Sequence, residues 1–202
     1  MKHAVIIAHP SQDSFTAAVG RTYAETVRAM GQEVLVRDLY AMDFDPRLKA
    51  SELPSPKGAN PAPDIATERA LVADADVFAF IYPFWFNAPP AILKGYADRM
   101  FGLGFGYAPA SGGTEPLLSS RQLISFSSSG APDRWVEETG ALSALRQHFD
   151  GHLAGVCGLN VIDHRHHGGV TPGITDEAVA DMLEDVARAV RKAFGPAART
   201  AC

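Results

Sequence analysis

Five short apolar or β-branched runs recur along the chain, and they are separated by segments with helical periodicity. HAVIIA (3–8) and ADVFAFIY (75–82) lack the clean apolar–polar alternation of a half-exposed strand. Such runs are typical of strands that are buried on both faces of a sheet. The other three runs are EVLVRDL (33–39), RQLISFSS (121–128) and GLNVID (158–163).

The segments between these runs carry the spacing of amphipathic helices. Between residues 14 and 30, apolar side chains recur at every fourth position from Phe15 to Val27, and Ser14 is a candidate N-cap. The same scheme recurs over residues 175–194. Strands that alternate with helices indicate βαβ units and a parallel sheet.

These elements predict the fold class. Five parallel strands covered by helices are compatible with two common strand orders, which differ in where the sheet reverses direction. Of these we expect the α/β, flavodoxin-like, doubly wound parallel sheet in the order 2-1-3-4-5, with helices on both faces. Because 202 residues suffice for one sizeable core, we expect a single domain over residues 1–202. In this order the sheet reverses between its first and third strands, and ligands bind beyond the carboxyl ends of the strands at that point.

Composition and charge narrow the classes of partner. The formal net charge of −5 provides no general field for nucleic acid or an anionic membrane. No apolar run reaches the roughly 18 residues that span a bilayer, so we expect no membrane insertion. Cys157 and Cys202 are the only cysteines, and we expect a cytoplasmic protein with Cys202 as an exposed tail thiol.

The loop after the first strand and the loop after the fourth both offer polar groups at the expected edge. In HPSQDSFT (9–16), hydroxyls and a helix N-terminus could hold a phosphate, although capping by Ser14 alone explains the pattern as well. No G-x-G-x-x-G or Walker A motif is present. The run from Ser127 to Gly130 suits the polar edge of a flat heterocycle, and a plain turn explains it nearly as well.

The loop after the third strand discriminates best between these alternatives. Tyr82, Phe84, Trp85 and Phe86 exceed what a core edge needs, so some of them should face a cleft and stack on a planar ring. Together the three loops favour a flavin or nucleotide site, without defining the reaction.

The helix after this loop contains a residue that calls for an explanation. Pro90 suits its first turn, whereas Gly95 inside it costs about 1 kcal/mol relative to Ala unless a close backbone approach offsets the cost.

Several motifs in these segments resemble one enzyme family. They are AHPSQDSF in the first loop, DLYAMDFDP at 38–46, PAILKG followed by DRMF, and CGLNV before the last strand. In combination they resemble the NAD(P)H:quinone oxidoreductases of the diaphorase type. The resemblance implies a homodimer that transfers hydride from NAD(P)H through bound FAD or FMN to quinones by a ping-pong cycle. The DLYAMDFDP segment and the long irregular excursion at 41–63 favour FAD over FMN.

The resemblance also implies roles for individual residues. Tyr107 and Trp135 occupy positions that line the nicotinamide and quinone pocket in relatives, and they are the candidate catalytic residues. The candidate flavin-binding residues are His9, Ser14, Phe15 and Thr16 around the ribityl and phosphate groups, and Pro83, Phe84, Trp85, Phe86, Ser127, Ser128, Ser129 and Gly130 along the ring system.

One departure from the long relatives bears on the mechanism. Trp135 stands where those relatives have Tyr, and their neighbouring catalytic His has no counterpart near Ala141. Solvent or Tyr107 could supply the proton, because a flavin carries the hydride chemistry itself.

Other readings of the chain remain open at this point. His164, His166 and His167 beside Asp163 suggest zinc, but a single short cluster without a second ligand set favours a solvated or interface loop. A flavodoxin-like electron carrier is disfavoured by the modest net charge and the bulky aromatic loop. A regulatory subunit of a potassium-efflux transporter is a third alternative.

Overall fold

The computed structural model describes residues 1–54, 58 and 60–196. Cys202 and its expected exposure lie outside the described residues. The strands are β1 Lys2–Ile7, β2 Glu33–Asp38, β3 Val77–Pro83, β4 Tyr107–Ala110, β5 Gly113–Pro116, β6 Gln122–Ser128 and β7 Asn160–His167. The helices are α1 Phe15–Ala29, α2 Pro63–Leu71, α3 Ala91–Met100, α4 Asp133–Glu138, α5 Ala141–Leu145, α6 His152–Cys157 and α7 Asp176–Phe194, with a 3₁₀ turn at Ala50–Glu52 and a π-helical turn at Arg146–Gly151.

The main sheet has the order β2-β1-β3-β6-β7, and all of its neighbouring strands are parallel. Numbered within the sheet alone this is 2-1-3-4-5, so the predicted flavodoxin-like fold is confirmed. The antiparallel hairpin of β4 and β5 lies outside the main sheet and was not among the predicted elements.

The two faces of the sheet carry separate apolar clusters. Strand β3 illustrates the division, because Phe78 and Phe80 face α2, α3 and α6, whereas Ala79 and Ile81 face α1 and α7. Every residue of β3 is buried, which explains why its sequence lacks polar alternation. The cores thus hold β1, β3 and β6 rigidly and set the positions of the loops at their carboxyl ends.

The two long helices that cover the second face begin as their sequences predict. The Ser14 and Thr175 hydroxyls accept hydrogen bonds from the N–H groups of Ala17 and Ala178, each three residues into the helix. Neither of these helices, nor any other helix in the described ranges, is long and apolar enough to cross a bilayer.

The irregular excursion between β2 and α2 packs firmly against α3. A side chain at Gly95 would collide with the carbonyl oxygen of Pro46, so a close backbone approach accounts for the glycine inside this helix. The guanidinium of Arg99 is fully buried and bonds to Asp64 at 2.8 Å, to Glu52 at 3.1 Å and to the Asp45 carbonyl at 2.6 Å. These contacts anchor the excursion on the face of the sheet opposite α1.

Candidate functional site

The loops after β1, β3 and β6 enclose a pocket of about 160 Å³ at the carboxyl edge of the sheet. After β1 the next strand of the main sheet, β2, lies on one side, whereas after β3 the next strand, β6, lies on the other side. The connections after β1 and β3 therefore leave in opposite directions, and a crevice lies between them. The lining residues are His9, Ser14, Phe15, Thr16, Pro83, Phe84, Trp85, Ser128, Ser129, Gly130 and Val170.

The start of α1 gives one end of this pocket the character of an anion site. Ser14 is occupied as the N-cap, since its Oγ accepts from the Ala17 N–H at 3.1 Å. The backbone N–H groups of Phe15 and Thr16 have no acceptor among the described residues. The Thr16 side chain is buried and lines the pocket. Because the first amides of a helix carry partial positive charge, this end favours a phosphate.

The aromatic loop turns sharply after β3. Trp85 and Ala88 exchange two backbone hydrogen bonds of 3.0 Å, and the two residues between them, Phe86 and Asn87, have φ angles of 48° and 60°. Positive φ at both central residues is the geometry of a type I′ turn. A non-glycine residue with positive φ is uncommon and costs conformational energy, so the surrounding contacts hold this turn in place.

This turn divides the aromatic side chains into two groups. Phe84 and Trp85 line the pocket, and the Phe84 N–H donates to the Ser128 carbonyl at 2.6 Å, which ties the loop to the end of β6. The Trp85 ring lies 6.0 Å from that of His9 across the opening. Phe86 points away and is fully exposed. Thus two of the predicted ring-binding aromatics face the cleft, and Phe86 faces solvent.

The serine loop is divided by the alternation of side chains along a strand. Ser128, Ser129 and Gly130 line the pocket. Ser127 points to the opposite face of the sheet and is buried below the pocket. There its hydroxyl lies 2.7 Å from His164 Nε2 and 2.9 Å from His166 Nδ1.

The expectation of a solvated or interface loop for the histidines is wrong. His164, His166 and His167 belong to β7, and His164 and His167 are buried. Strand β7 extends past the apolar run that predicted it. Its register pairs Ser127 with His166, and the Ser127 hydroxyl contacts both His166 and His164, so the polar side chains of this extension have partners within the sheet. Within the described ranges no group of three or more metal-ligating side chains is present.

A residue that the sequence did not single out completes this polar cluster. Asp150, in the π-helical turn, contacts His164 Nδ1 through Oδ2 at 2.5 Å and accepts a hydrogen bond from the Ser125 hydroxyl at 2.9 Å. At the other end, His166 Nε2 lies 2.9 Å from the Ser129 hydroxyl, at the pocket wall. The sequence signal for this cluster is the spacing of two between Ser125 and Ser127 and between His164 and His166.

Burial sets the protonation of the neighbouring histidines. Desolvation lowers the pKa of His166 to about 4, and the nearby Asp133 carboxylate opposes this only in part. Burial likewise lowers the pKa of His167, against the opposing effect of Asp185. The His167 Nε2 lies 3.5 Å from the Asp185 carboxylate but makes no aligned hydrogen bond. Both rings are therefore neutral near pH 7.

Tyr107 and Trp135 lie outside the 160 Å³ pocket. Tyr107 begins β4 and lines a second cavity of about 440 Å³, together with Lys94, His148 and Phe149. Trp135 lies on the short helix α4 and its side chain is largely exposed. The single chain brings neither residue to the carboxyl edge of β1 and β3.

Comparison with known proteins places this architecture in a family. The family described as flavodoxin-like fold matches residues 1–190, so the chain belongs to it. An uncharacterized NAD(P)H oxidoreductase of Haemophilus influenzae is 32% identical over 185 residues, which cover 91% of each protein. The resemblance to the NAD(P)H:quinone oxidoreductase family is thereby confirmed.

Two further relatives carry quinone reduction in their names. The NAD(P)H dehydrogenase [quinone] 1 of Cavia porcellus is 31% identical over 145 residues, which cover 63% of this chain and 53% of that enzyme. The structure of the NAD(P)H:quinone oxidoreductase from Methanothermobacter marburgensis superimposes with a TM-score of 0.81 at 29% identity and covers 95% of both chains. The similarity thus extends over nearly the whole fold of a compact relative.

Proposed function

We propose that this protein is a flavin-dependent NAD(P)H:quinone oxidoreductase. The observation that carries the proposal is the pocket at the sheet reversal, which has unpaired helix amides at one end and aromatic side chains at the other. A bound flavin would accept hydride from NAD(P)H and pass it to a quinone, a two-electron reaction that the protein supports through geometry.

The residues of the pocket fit such a cofactor. The amides of Phe15 and Thr16 would bind its phosphate, with the Thr16 hydroxyl as a further donor. Phe84 and Trp85 offer apolar surface to a planar ring. The Gly130 N–H, which has no acceptor among the described residues, and the Ser129 hydroxyl would contact the polar edge of the ring.

The choice between FAD and FMN follows from the excursion between β2 and α2. We expect FAD, because the DLYAMDFDP segment resembles that of FAD-binding relatives. Two structural neighbours bound to FMN, from Bacillus anthracis and Treponema denticola, share only 15% and 20% identity and therefore inform the fold alone. Acid release of the cofactor from purified protein, followed by chromatography, distinguishes the two flavins.

We further propose a cytoplasmic homodimer with a ping-pong cycle. Phe86 and Trp135 are large exposed hydrophobic residues, as expected of surface that a second copy covers. Such a partner would bring its own aromatic side chains over a pocket that a single chain leaves open. Donor and acceptor would then enter the same opening in turn. Light scattering and initial-rate patterns with both substrates varied test the dimer and the cycle.

The deciding experiment is turnover by the reconstituted protein. Protein loaded with FAD or FMN should oxidise NADH or NADPH in the presence of a soluble quinone, at a rate proportional to flavin content. Flavin-loaded protein that does not oxidise either nucleotide would contradict the enzyme proposal and favour an electron carrier. Absence of flavin binding after reconstitution would contradict both.

A further inference from the structure

Five side chains form an unbroken line of hydrogen-bonding groups from the interior to the pocket wall. The contacts run from Asp150 to His164 at 2.5 Å, to Ser127 at 2.7 Å, to His166 at 2.9 Å and to Ser129 at 2.9 Å. The side chains of His164 and Asp150 are 1% and 2% exposed. The inner end is therefore shielded from solvent, whereas the outer end lines the pocket.

The partners of each ring define the direction of the three inner hydrogen bonds. His164 must donate through Nδ1, because a carboxylate only accepts, and its Nε2 then accepts from the Ser127 hydroxyl. Because the Ser127 hydroxyl donates its one hydrogen to His164, it must accept from His166 Nδ1. His166 is neutral near pH 7, so with Nδ1 as donor its Nε2 can only accept. The Ser129 hydroxyl lies 2.9 Å from this Nε2 and 3.1 Å from the Ala131 carbonyl, and its one hydrogen serves the relay when it turns to His166. In that orientation all four bonds point from the pocket towards Asp150.

We propose that Ser129, His166, Ser127 and His164 form a proton relay between the pocket and a buried imidazole–carboxylate pair with Asp150. The proposal rests on the proposed function, because reduction of a quinone by NAD(P)H transfers one hydride and consumes one additional proton. The relay stores that proton close to the reaction and assigns the proton donor that the sequence left open.

The transfer moves one proton and no other bond changes. Ser129 takes a proton from the pocket on Oγ, while its own hydroxyl proton passes to His166 Nε2. His166 releases its Nδ1 proton to Ser127, whose hydroxyl proton passes to His164 Nε2. One positive charge thereby arrives on His164, beside the Asp150 carboxylate. The reverse sequence returns the proton to the pocket.

The surroundings of the relay bear on its pH dependence. Around His164, the Arg146 guanidinium bonds to its carbonyl at 2.5 Å, the Asp163 carboxylate accepts its backbone N–H at 2.8 Å, and Tyr82 of β3 packs on its ring. Burial and Asp150 raise the pKa of Tyr82, so its phenol stays protonated. Around His166 lie Asp133, His167 and the aromatic ring of Phe84.

The variant that cuts the relay with the least disturbance is His166→Phe. It keeps a ring of similar shape, Ser127 can still donate to His164, and Ser129 can still donate to the Ala131 carbonyl at 3.1 Å. The matched control is His3→Phe. His3 is also buried and has two hydrogen-bond partners, Tyr23 at 2.8 Å and Gln32 at 2.9 Å, at the opposite edge of the sheet.

The first measurement uses flavin-free protein and does not depend on turnover. Nitrogen-15 NMR of the histidine rings should show the Nδ1–H tautomer for both His164 and His166 at pH 7. During titration, His164 should give one averaged ring signal in wild type and separate signals in His166→Phe, because the protonation route is cut. An Nε2–H tautomer on either ring, or identical line shapes in the two proteins, would overturn the relay.

The second measurement uses the flavin-loaded enzyme. His166→Phe should lower kcat by about 10- to 100-fold, at the lower end of the contributions of general acid–base groups, and raise the solvent isotope effect on kcat, because proton delivery then limits the rate. His3→Phe should change neither. Unchanged kcat and isotope effect in His166→Phe would overturn the catalytic role. If flavin-loaded wild-type protein shows no turnover, the proposed function is wrong. The NMR measurement then still tests the relay by itself.

If His166→Phe does not fold, Ser129→Ala tests the same route at its outer end. It removes only the terminal hydroxyl, at the pocket wall. The same slow protonation of His164 and the same increase in the solvent isotope effect are expected. Wild-type behaviour in both readouts would overturn the relay.

Discussion

The two edges of the sheet each hold a buried histidine with two hydrogen-bond partners, but only one of these groups leads to a pocket. At the amino edge, His3 of β1 contacts Tyr23 and Gln32, and Tyr23 is itself buried. At the carboxyl edge, the partners of His164 continue through further side chains to the wall of the 160 Å³ pocket.

The difference shows why the same residue type has different consequences in one fold. Both imidazoles satisfy their polar atoms and therefore avoid the cost of burying an unpaired group. At the amino edge the partners come from the middle of α1 and from the connection between α1 and β2, and the network stabilises local packing. At the carboxyl edge the loops diverge, so a network that begins in the core ends at a cleft.

The largest difference between the two edges should come from Asp150→Ala. Removing one partner of a buried pair leaves His164 and the Ser125 hydroxyl without their acceptor, and typically costs about 3–5 kcal/mol of unfolding free energy. Gln32→Ala at the amino edge should cost only about 1–3 kcal/mol, the cost of one unsatisfied neutral group. Urea denaturation compares the two variants. Equal losses of unfolding free energy in the two variants would mean that Asp150 and His164 form an ordinary neutral contact.

The next effect concerns ligand binding at the first turn of α1. Thr16→Val preserves shape and removes a hydroxyl that lines the pocket, so flavin should bind about 10-fold more weakly, as for one hydrogen bond to a charged group. Thr26→Val is the control, since the Thr26 hydroxyl donates to the Thr22 carbonyl in the same helix at 2.7 Å, far from the pocket lining. Fluorescence titration measures the flavin Kd. Equal affinities in both variants would place the phosphate elsewhere.

The pH dependence of the unfolding free energy should differ less between variants at the two edges, His166→Phe and His3→Phe. Burial lowers the pKa of His166 from 6.5 to about 4 in the folded state, so the unfolded chain binds more protons between these values. The stability is fully present above pH 6.5 and is lost as the pH falls towards 4. His166→Phe should flatten this decline, and His3→Phe should flatten it too, because burial also lowers the pKa of His3. Denaturation midpoints between pH 4 and 7 test this, and an unchanged slope in His166→Phe would contradict it.

The smallest effect on unfolding is expected at the tip of the aromatic loop. Phe86 is fully exposed, so Phe86→Ala should change the free energy of unfolding by no more than about 0.5 kcal/mol. Phe80→Ala in the core should cost about 3–5 kcal/mol. In the proposed dimer, however, Phe86→Ala should weaken association, which sedimentation at several concentrations would reveal. Unchanged association would leave Phe86 outside the interface.

The sequence was most informative where local chemistry decides the structure. The caps of α1 and α7, the buried strands and the close approach at Gly95 all follow from residue type and spacing. The pocket itself was predicted because strand order alone determines which loops meet at the reversal of a doubly wound sheet. The positions of the three loops along the chain were thus sufficient to predict that they line one pocket. The roles of individual loop residues in binding a flavin remain predictions.

The direction of individual side chains depended on contacts that no local pattern contains. Positive φ at Phe86 turns that ring to solvent while Trp85 lines the pocket, and one step along β6 separates buried Ser127 from Ser128 at the pocket wall. By itself, therefore, the sequence determined the fold, its family and the edge of the sheet at which the pocket lies. Only the tertiary structure joined Asp150 to His164, because a hydrogen bond between a helical turn and a strand depends on how that turn packs against the strand.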